Sequence, residues 1–183
     1  MQIFLFDLTV WAMLVMAAVA AVSDLRTGLI SNRTVALGAL AGALAQLSML
    51  EALTAASLGA TALRIVAGAL LCAVVPLTLY VLGGLGGGDL KLFVAIGVCL
   101  GPLEGLSVQL TAFTIAVSLL PVHLARAGKL SATLLNSATL FQNMFRRAEA
   151  RKVLPTTELT SLRFAPAIFA AALWVAFSRG GTP

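Results

Sequence analysis

Six stretches of this chain carry almost no charge: residues 3–23, 34–50, 62–82, 90–100, 105–125 and 163–178. No other feature constrains the fold as much. A run of about 20 apolar residues matches the hydrocarbon core of a bilayer. Inside lipid, a helix satisfies its own backbone N–H and C=O groups. The expected fold class is therefore all-α: a polytopic membrane helix bundle of about six transmembrane helices. The first run has no basic region before it and is long enough to span, so it reads as a retained helix and not a cleaved signal. Pro76 and Pro121 fall inside spans, where neighbouring helices tolerate them. Residues 90–100 are the awkward stretch. Eleven residues make about 16 Å of helix, against about 30 Å of hydrocarbon. This segment continues past Gly101-Pro102, sits in a thinned bilayer, or dips in and returns.

With 60% hydrophobic and only 10% charged residues, little of the chain remains for a separate soluble domain. Residues 1–183 read as one membrane domain. Its longest polar stretch, 126–162, sets Leu134, Leu135, Leu140, Phe141, Met144 and Phe145 beside Arg146, Arg147, Arg151 and Lys152. That pattern suits an amphipathic helix on an anionic membrane surface, with membrane lipids as its partner. The net charge of +5 comes without the arginine–aromatic interleaving of a nucleic-acid binder, so no nucleic acid is expected. Cys72 and Cys99 lie in apolar runs with no CxxC pair, as buried thiols do. His123 is the only histidine, so a multi-histidine metal site is excluded. No cofactor and no metal are expected.

The basic residues set the orientation. With six spans and an outer N-terminus, Arg26, Arg33, Lys91, Arg126, Lys129, Arg146, Arg147, Arg151, Lys152 and Arg163 fall on the cytoplasmic side. Only Arg64 and Arg179 of the 12 basic residues fall outside. Asp7, Glu51 and Glu104 then read as ordinary acids of the outer border. Asp24 and Asp89 both come to the cytoplasmic border.

Asp89 follows Gly83-Gly84-Leu85-Gly86-Gly87-Gly88, five glycines in six positions. Taken singly, each acid has a plain reading. Asp89 is the N-cap of the next helix, and Asp24 is a solvated loop residue paired with Arg26. Lys91 and Arg26 read as inside-positive anchors that are also able to tune a neighbouring acid. Together the two acids suggest more, because ionisable groups at membrane borders are functional candidates. Two carboxylates that meet share a proton. One then takes a proton from water, while the other, protonated, polarises a scissile carbonyl. Asp89, opening a helix, suits the base. Asp24, behind a helix end, suits the acid, although coupled carboxylates titrate as a pair. The glycine turn would let an extended peptide backbone approach them.

These residues resemble a family. Gly86-Gly87-Gly88-Asp89 matches the GxGD motif of membrane aspartic proteases. Asp89-Leu90-Lys91-Leu92-Phe93, with Gly97 and Gly101-Pro102, looks like the type IV prepilin peptidases. Asp24-Leu25-Arg26 followed by Ile30-Ser31-Asn32 resembles their first aspartate motif, and Phe164-Ala165-Pro166-Ala167-Ile168 their last-span motif. The resemblance implies that Asp24 and Asp89 are catalytic, with Gly86, Gly88, Arg26, Asn32, Lys91 and Pro166 as supporting motif residues. It implies a prepilin substrate, a membrane-inserted helix with a basic leader, cut at the cytoplasmic face of a bacterial inner membrane. Pilus assembly machinery is a further implied partner. Ser31 stands where the family usually has proline, and the paired-cysteine cytoplasmic domain of bifunctional members is absent. The short form looks like the peptidases of Tad/Flp pilus systems.

An archaeal-type preflagellin peptidase shares the GxGD motif. Presenilin-like proteases share it too, but with a Tyr-Asp first motif that Val22-Ser23-Asp24 lacks. A small cation- or proton-coupled transporter is the competing class, disfavoured because both acids lie at one face and not near the midplane. A non-catalytic assembly subunit would keep its function without either acid.

Overall fold

The computed structural model describes residues 8–50, 52, 54–126 and 163–180. Asp7, Glu51 and nearly all of the 126–162 stretch lie outside the described residues, as does the side chain of His123. Six helices are present: α1 (Leu8–Thr27), α2 (Asn32–Ser48), α3 (Ala55–Val81), α4 (Gly87–Leu100), α5 (Pro102–Arg126) and α6 (Ala165–Gly180). The described residues contain no strand. Met1–Ile115 with Arg163–Pro183 form one compact unit, and Ala116–Leu162 form a second. Of the second, the described part is the end of α5.

The first unit is an all-α membrane bundle, and its packing shows why. Its interior is built from small residues: Ala17, Ala20, Ala171 and Ala172 are fully buried. Its large apolar side chains, among them Trp11, Leu63, Leu70, Leu110, Trp174 and Phe177, point outward and are more than half exposed. A soluble protein would not leave so much apolar surface bare. In lipid that surface costs nothing, and close backbone approach supplies the packing. Leu8–Thr27, Ala55–Val81 and Pro102–Leu120 are each long and apolar enough to cross a membrane. Helices α2, α4 and α6 are shorter, with 17, 14 and 16 residues.

Helix ends differ from the apolar runs for local reasons. The first run stops at residue 23, but α1 continues through Ser23-Asp24-Leu25-Arg26-Thr27. It ends only where Gly28 takes φ +68° and donates its N–H to Asp24 O at 2.9 Å. A left-handed glycine is a helix stop, and polar residues inside the last turn are not. Asp24 is thus in the helix, not in a loop behind it. Helix α3 starts at Ala55, a turn and more before its apolar run. Thr54 and Ser57 cap it reciprocally: each side chain bonds to the other's backbone N–H.

Helix α4 is the hub. Helices α1, α2 and α3 all pack along it. At its crossing with α3 the two backbones touch: a Cβ on Gly68 would lie 2.1 Å from Gly97 O, and one on Gly97 2.2 Å from Gly68 O. The far end of α4 is held by side chains from two neighbours. Gln46 of α2 donates to Val98 O, and Arg64 of α3 donates to Leu100 O at 2.9 Å. Arg64 also lies 3.9 Å from Glu104. Gly101, at φ +83°, is the whole connection to α5, which opens on Pro102. The short fourth segment therefore neither continues past the proline nor stands apart. It forms a helical hairpin with α5, whose Phe113 returns to stack on Phe93 at 5.5 Å between ring centroids. Phe164, just before α6, completes that cluster at 6.0 Å from Phe93 and 5.4 Å from Phe113. Three rings so arranged tie α4, α5 and the entry to α6 together.

Candidate active site

Three helix ends converge where the two aspartates sit. The last turn of α1 carries Asp24. The loop that follows is held back against it, with Ser23 Oγ donating to Leu29 O at 2.8 Å. Thr27 Oγ1 donates to Ser23 O at 2.9 Å. Helix α3 closes with Gly83 at φ +75°, Gly84 N–H donating to Leu79 O and Gly83 N–H to Tyr80 O. This double bond pattern is the Schellman stop, and it needs a residue without Cβ strain at Gly83. Gly86 then takes an extended conformation as N-cap of α4.

Asp89 is not that cap. It occupies the third helical position, and its carboxylate accepts from the Gly86 backbone N–H. This is half of a capping box, with the acid reaching back one turn. The neighbouring glycines make room for it. A Cβ on Gly86 would stand 3.1 Å from Asp89 Oδ2, and one on Gly88 would stand 3.0 Å from Ile30 Cβ. Gly87 faces the Tyr80 ring, 3.4 Å from where its Cβ would be. The glycine run thus admits the protein's own groups: the Asp89 carboxylate, the loop after Asp24 and the end of α3. Gly88→Ala is expected to push Ile30 away and lower several-fold any activity that depends on the two acids, with little change in thermal stability. Steady-state kinetics beside a melting curve in detergent checks this.

The two acids are brought together. Asp24 is 7% exposed, Asp89 is half-buried, and Asp24 is near enough to act electrostatically on Asp89. Asp24 Oδ2 and Asp89 Oδ1 are buried with no hydrogen-bond partner among the described residues. Buried polar atoms are nearly always satisfied, so two orphaned oxygens at one place mark a site built for something else. Arg26 does not neutralise Asp24; it lies exposed on the outer face of the last turn. A carboxylate pair with no ion pair among the described residues can hold one proton between its members and offer it to a substrate.

The other supporting residues divide. Gly86 and Gly88 belong to the acid site. Lys91 and Asn32 pair with each other, Lys91 Nζ donating to Asn32 Oδ1 at 2.9 Å. Pro166 is the second residue of α6, where a missing N–H costs nothing, and it shapes the helix start. Two contacts were not singled out from the sequence. Tyr80 is one, and its position one turn before the glycines is a signal that was there to read. Arg163 is the other: it donates to Leu25 O, beside Asp24, across 138 positions of sequence. Counted only as a cytoplasmic charge, it carries no local sign of that contact. Among the described residues, no three His, Cys, Asp or Glu side chains gather to hold a metal ion.

Comparison with curated proteins and with solved structures finds no match. The family comparison does: residues 11–122, more than half of the chain, match the Type IV leader peptidase family. That segment holds both aspartates and every helix end that frames them. The chain is a member of the type IV leader peptidase family.

Proposed function

We propose that this leader peptidase-like protease removes the leader peptide of type IV or Flp-type prepilins with Asp24 and Asp89 as its catalytic pair. The observation that carries the reading is the pair of orphaned carboxylate oxygens on the last turn of α1 and the first turn of α4. One carboxylate removes a proton from water, and the resulting hydroxide attacks the scissile carbonyl carbon. The other carboxyl gives its proton to the carbonyl oxygen. The tetrahedral intermediate collapses as the leaving amine takes a proton, and the C–N bond breaks. The carboxyl that took the water's proton gives it to the leaving amine, and the other regains one from a hydroxyl of the collapsing intermediate; two protons enter the pair and two leave, so the dyad returns to its starting state.

Ten of the 12 basic residues favour a cytoplasmic position for this end of the bundle, with the N-terminus outside. The substrate's basic leader stays on that side, and its membrane helix reaches the acids laterally through the bilayer. The test is a processing assay in liposomes with a Flp-type prepilin. Cleavage at the leader junction supports the reading. Asp89-dependent cation flux without proteolysis would replace it with a transporter.

A shared proton also fixes the pH dependence. The active dyad carries one proton; adding a second removes the base, and losing the first removes the acid. Cleavage is expected to be bell-shaped in pH. A rate that stays flat through the acidic limb would rule the dyad out.

A further inference from the structure

Asp89 and Lys91 are two residues apart on α4, which turns them about 200° from each other at 3.6 residues per turn. Asp89 meets Asp24. Lys91 faces the other way, onto an apolar groove of about 470 Å³. Val94 and Val98 of α4 form its floor, Ala36 and Ala39 of α2 one wall, and Ala73 and Leu77 of α3 the other. On each helix these positions recur at three- and four-residue spacing, so three continuous faces meet. The groove stays open because α2 and α3 pack along α4 and barely touch each other. Alanine side chains keep its walls low.

The groove is apolar along its length and polar at one end only. There Lys91 gives one of its three donors to Asn32 Oδ1. Among the described residues, the remaining ammonium hydrogens and the Asn32 amide N–H₂ have no negative charge to serve. We propose that this groove holds a phospholipid with an anionic headgroup. One acyl chain lies along the alanine-walled trough, and the phosphate sits at Lys91 and Asn32. A charged end and an apolar tail match that lining end for end. The lipid would act as a splint between α2 and α3, which barely touch each other. It is a different site from the acid pair, on the opposite side of α4, and it does not depend on the reaction proposed above.

The experiment is native mass spectrometry and thermal unfolding in detergent, with dioleoylphosphatidylglycerol or dioleoylphosphatidylcholine added. The wild type is expected to retain the anionic lipid at least five-fold more than the zwitterionic one, and to melt several degrees higher with it. Lys91→Gln should bring the two lipids level, and Lys91→Arg should keep the preference. Ala39→Phe should fill the groove and remove binding of both. Ala73→Leu is the second filling variant, should Ala39→Phe not give a monodisperse protein. Equal retention of the two lipids by the wild type would overturn the proposal. So would undiminished phosphatidylglycerol binding by Lys91→Gln or by a folded groove-filling variant. A photo-crosslinker at position 39 that captures a substrate helix and not lipid in membranes would also overturn it.

Discussion

Asp24→Asn and Asp89→Asn are each expected to lower leader cleavage by about three orders of magnitude, near the span of a full general acid–base contribution. The amide keeps the shape of the carboxyl group and cannot accept or release the proton that the pair must pass. Loss of either member therefore stops both halves of the step. The double variant should be no worse than the worse single, because groups that act as one unit do not add. The fold should survive. Asp24 Oδ2 and Asp89 Oδ1 have no hydrogen-bond partner among the described residues to lose, and replacement leaves one buried carboxyl group where there were two. Single-turnover cleavage with detergent melting curves on the same preparations measures both halves of this expectation. Processing at the wild-type rate by either single variant, in cells or liposomes free of other peptidases, would refute the catalytic assignment.

The site's chemistry was legible in the sequence because polar groups are rare in it. In a chain that is 10% charged, two acids at span borders stand out without any structure. The helical class was legible for the same reason. What the apolar runs could not mark is where helices stop. Helix α1 runs through Asp24 because its stop signal is Gly28, five residues beyond the end of the apolar run. Helix α3 begins at Ala55 because hydroxyls at Thr54 and Ser57 cap it, and hydropathy does not register a cap. The glycine run was visible, but its purpose was not. A glycine that serves a turn, a carboxylate or a neighbouring loop looks the same in sequence, and only the neighbours of each missing Cβ tell them apart. Arg163 illustrates the remaining gap. Its contact with Leu25 O depends on how α6 packs against α1, and no local pattern encodes that.

The backbone crossing of α3 and α4 yields the second large effect. Gly97→Val and Gly68→Val are each expected to cost about 3 kcal/mol or more, the upper range for overpacking a close-packed interior. The reason lies in what the new side chain meets. A Cβ at either position would come within about 2.2 Å of the other glycine's carbonyl oxygen, a backbone atom in the middle of a helix. No rotamer relieves that, so the helices must separate. Gly38 gives the contrast within the same bundle. Its Cβ would also fall too close, at 2.4 Å, but to the Met16 side chain. The thioether can swing away, but Met16 Cβ, at 2.6 Å, moves only with the α1 backbone, so Gly38→Ala should cost about 2 kcal/mol, in the middle of the overpacking range. Gly59 has nothing within 4 Å. Gly59→Ala should gain up to about 1 kcal/mol from helix propensity alone. Melting curves in one detergent rank the series. If Gly97→Val melts with the wild type, α3 and α4 do not cross at these glycines. Cleavage should follow the same order, because α4 carries Asp89 and its register against α3 sets where that carboxylate stands. The aspartate variants are expected to lose cleavage and keep the fold, whereas the crossing variants lose both.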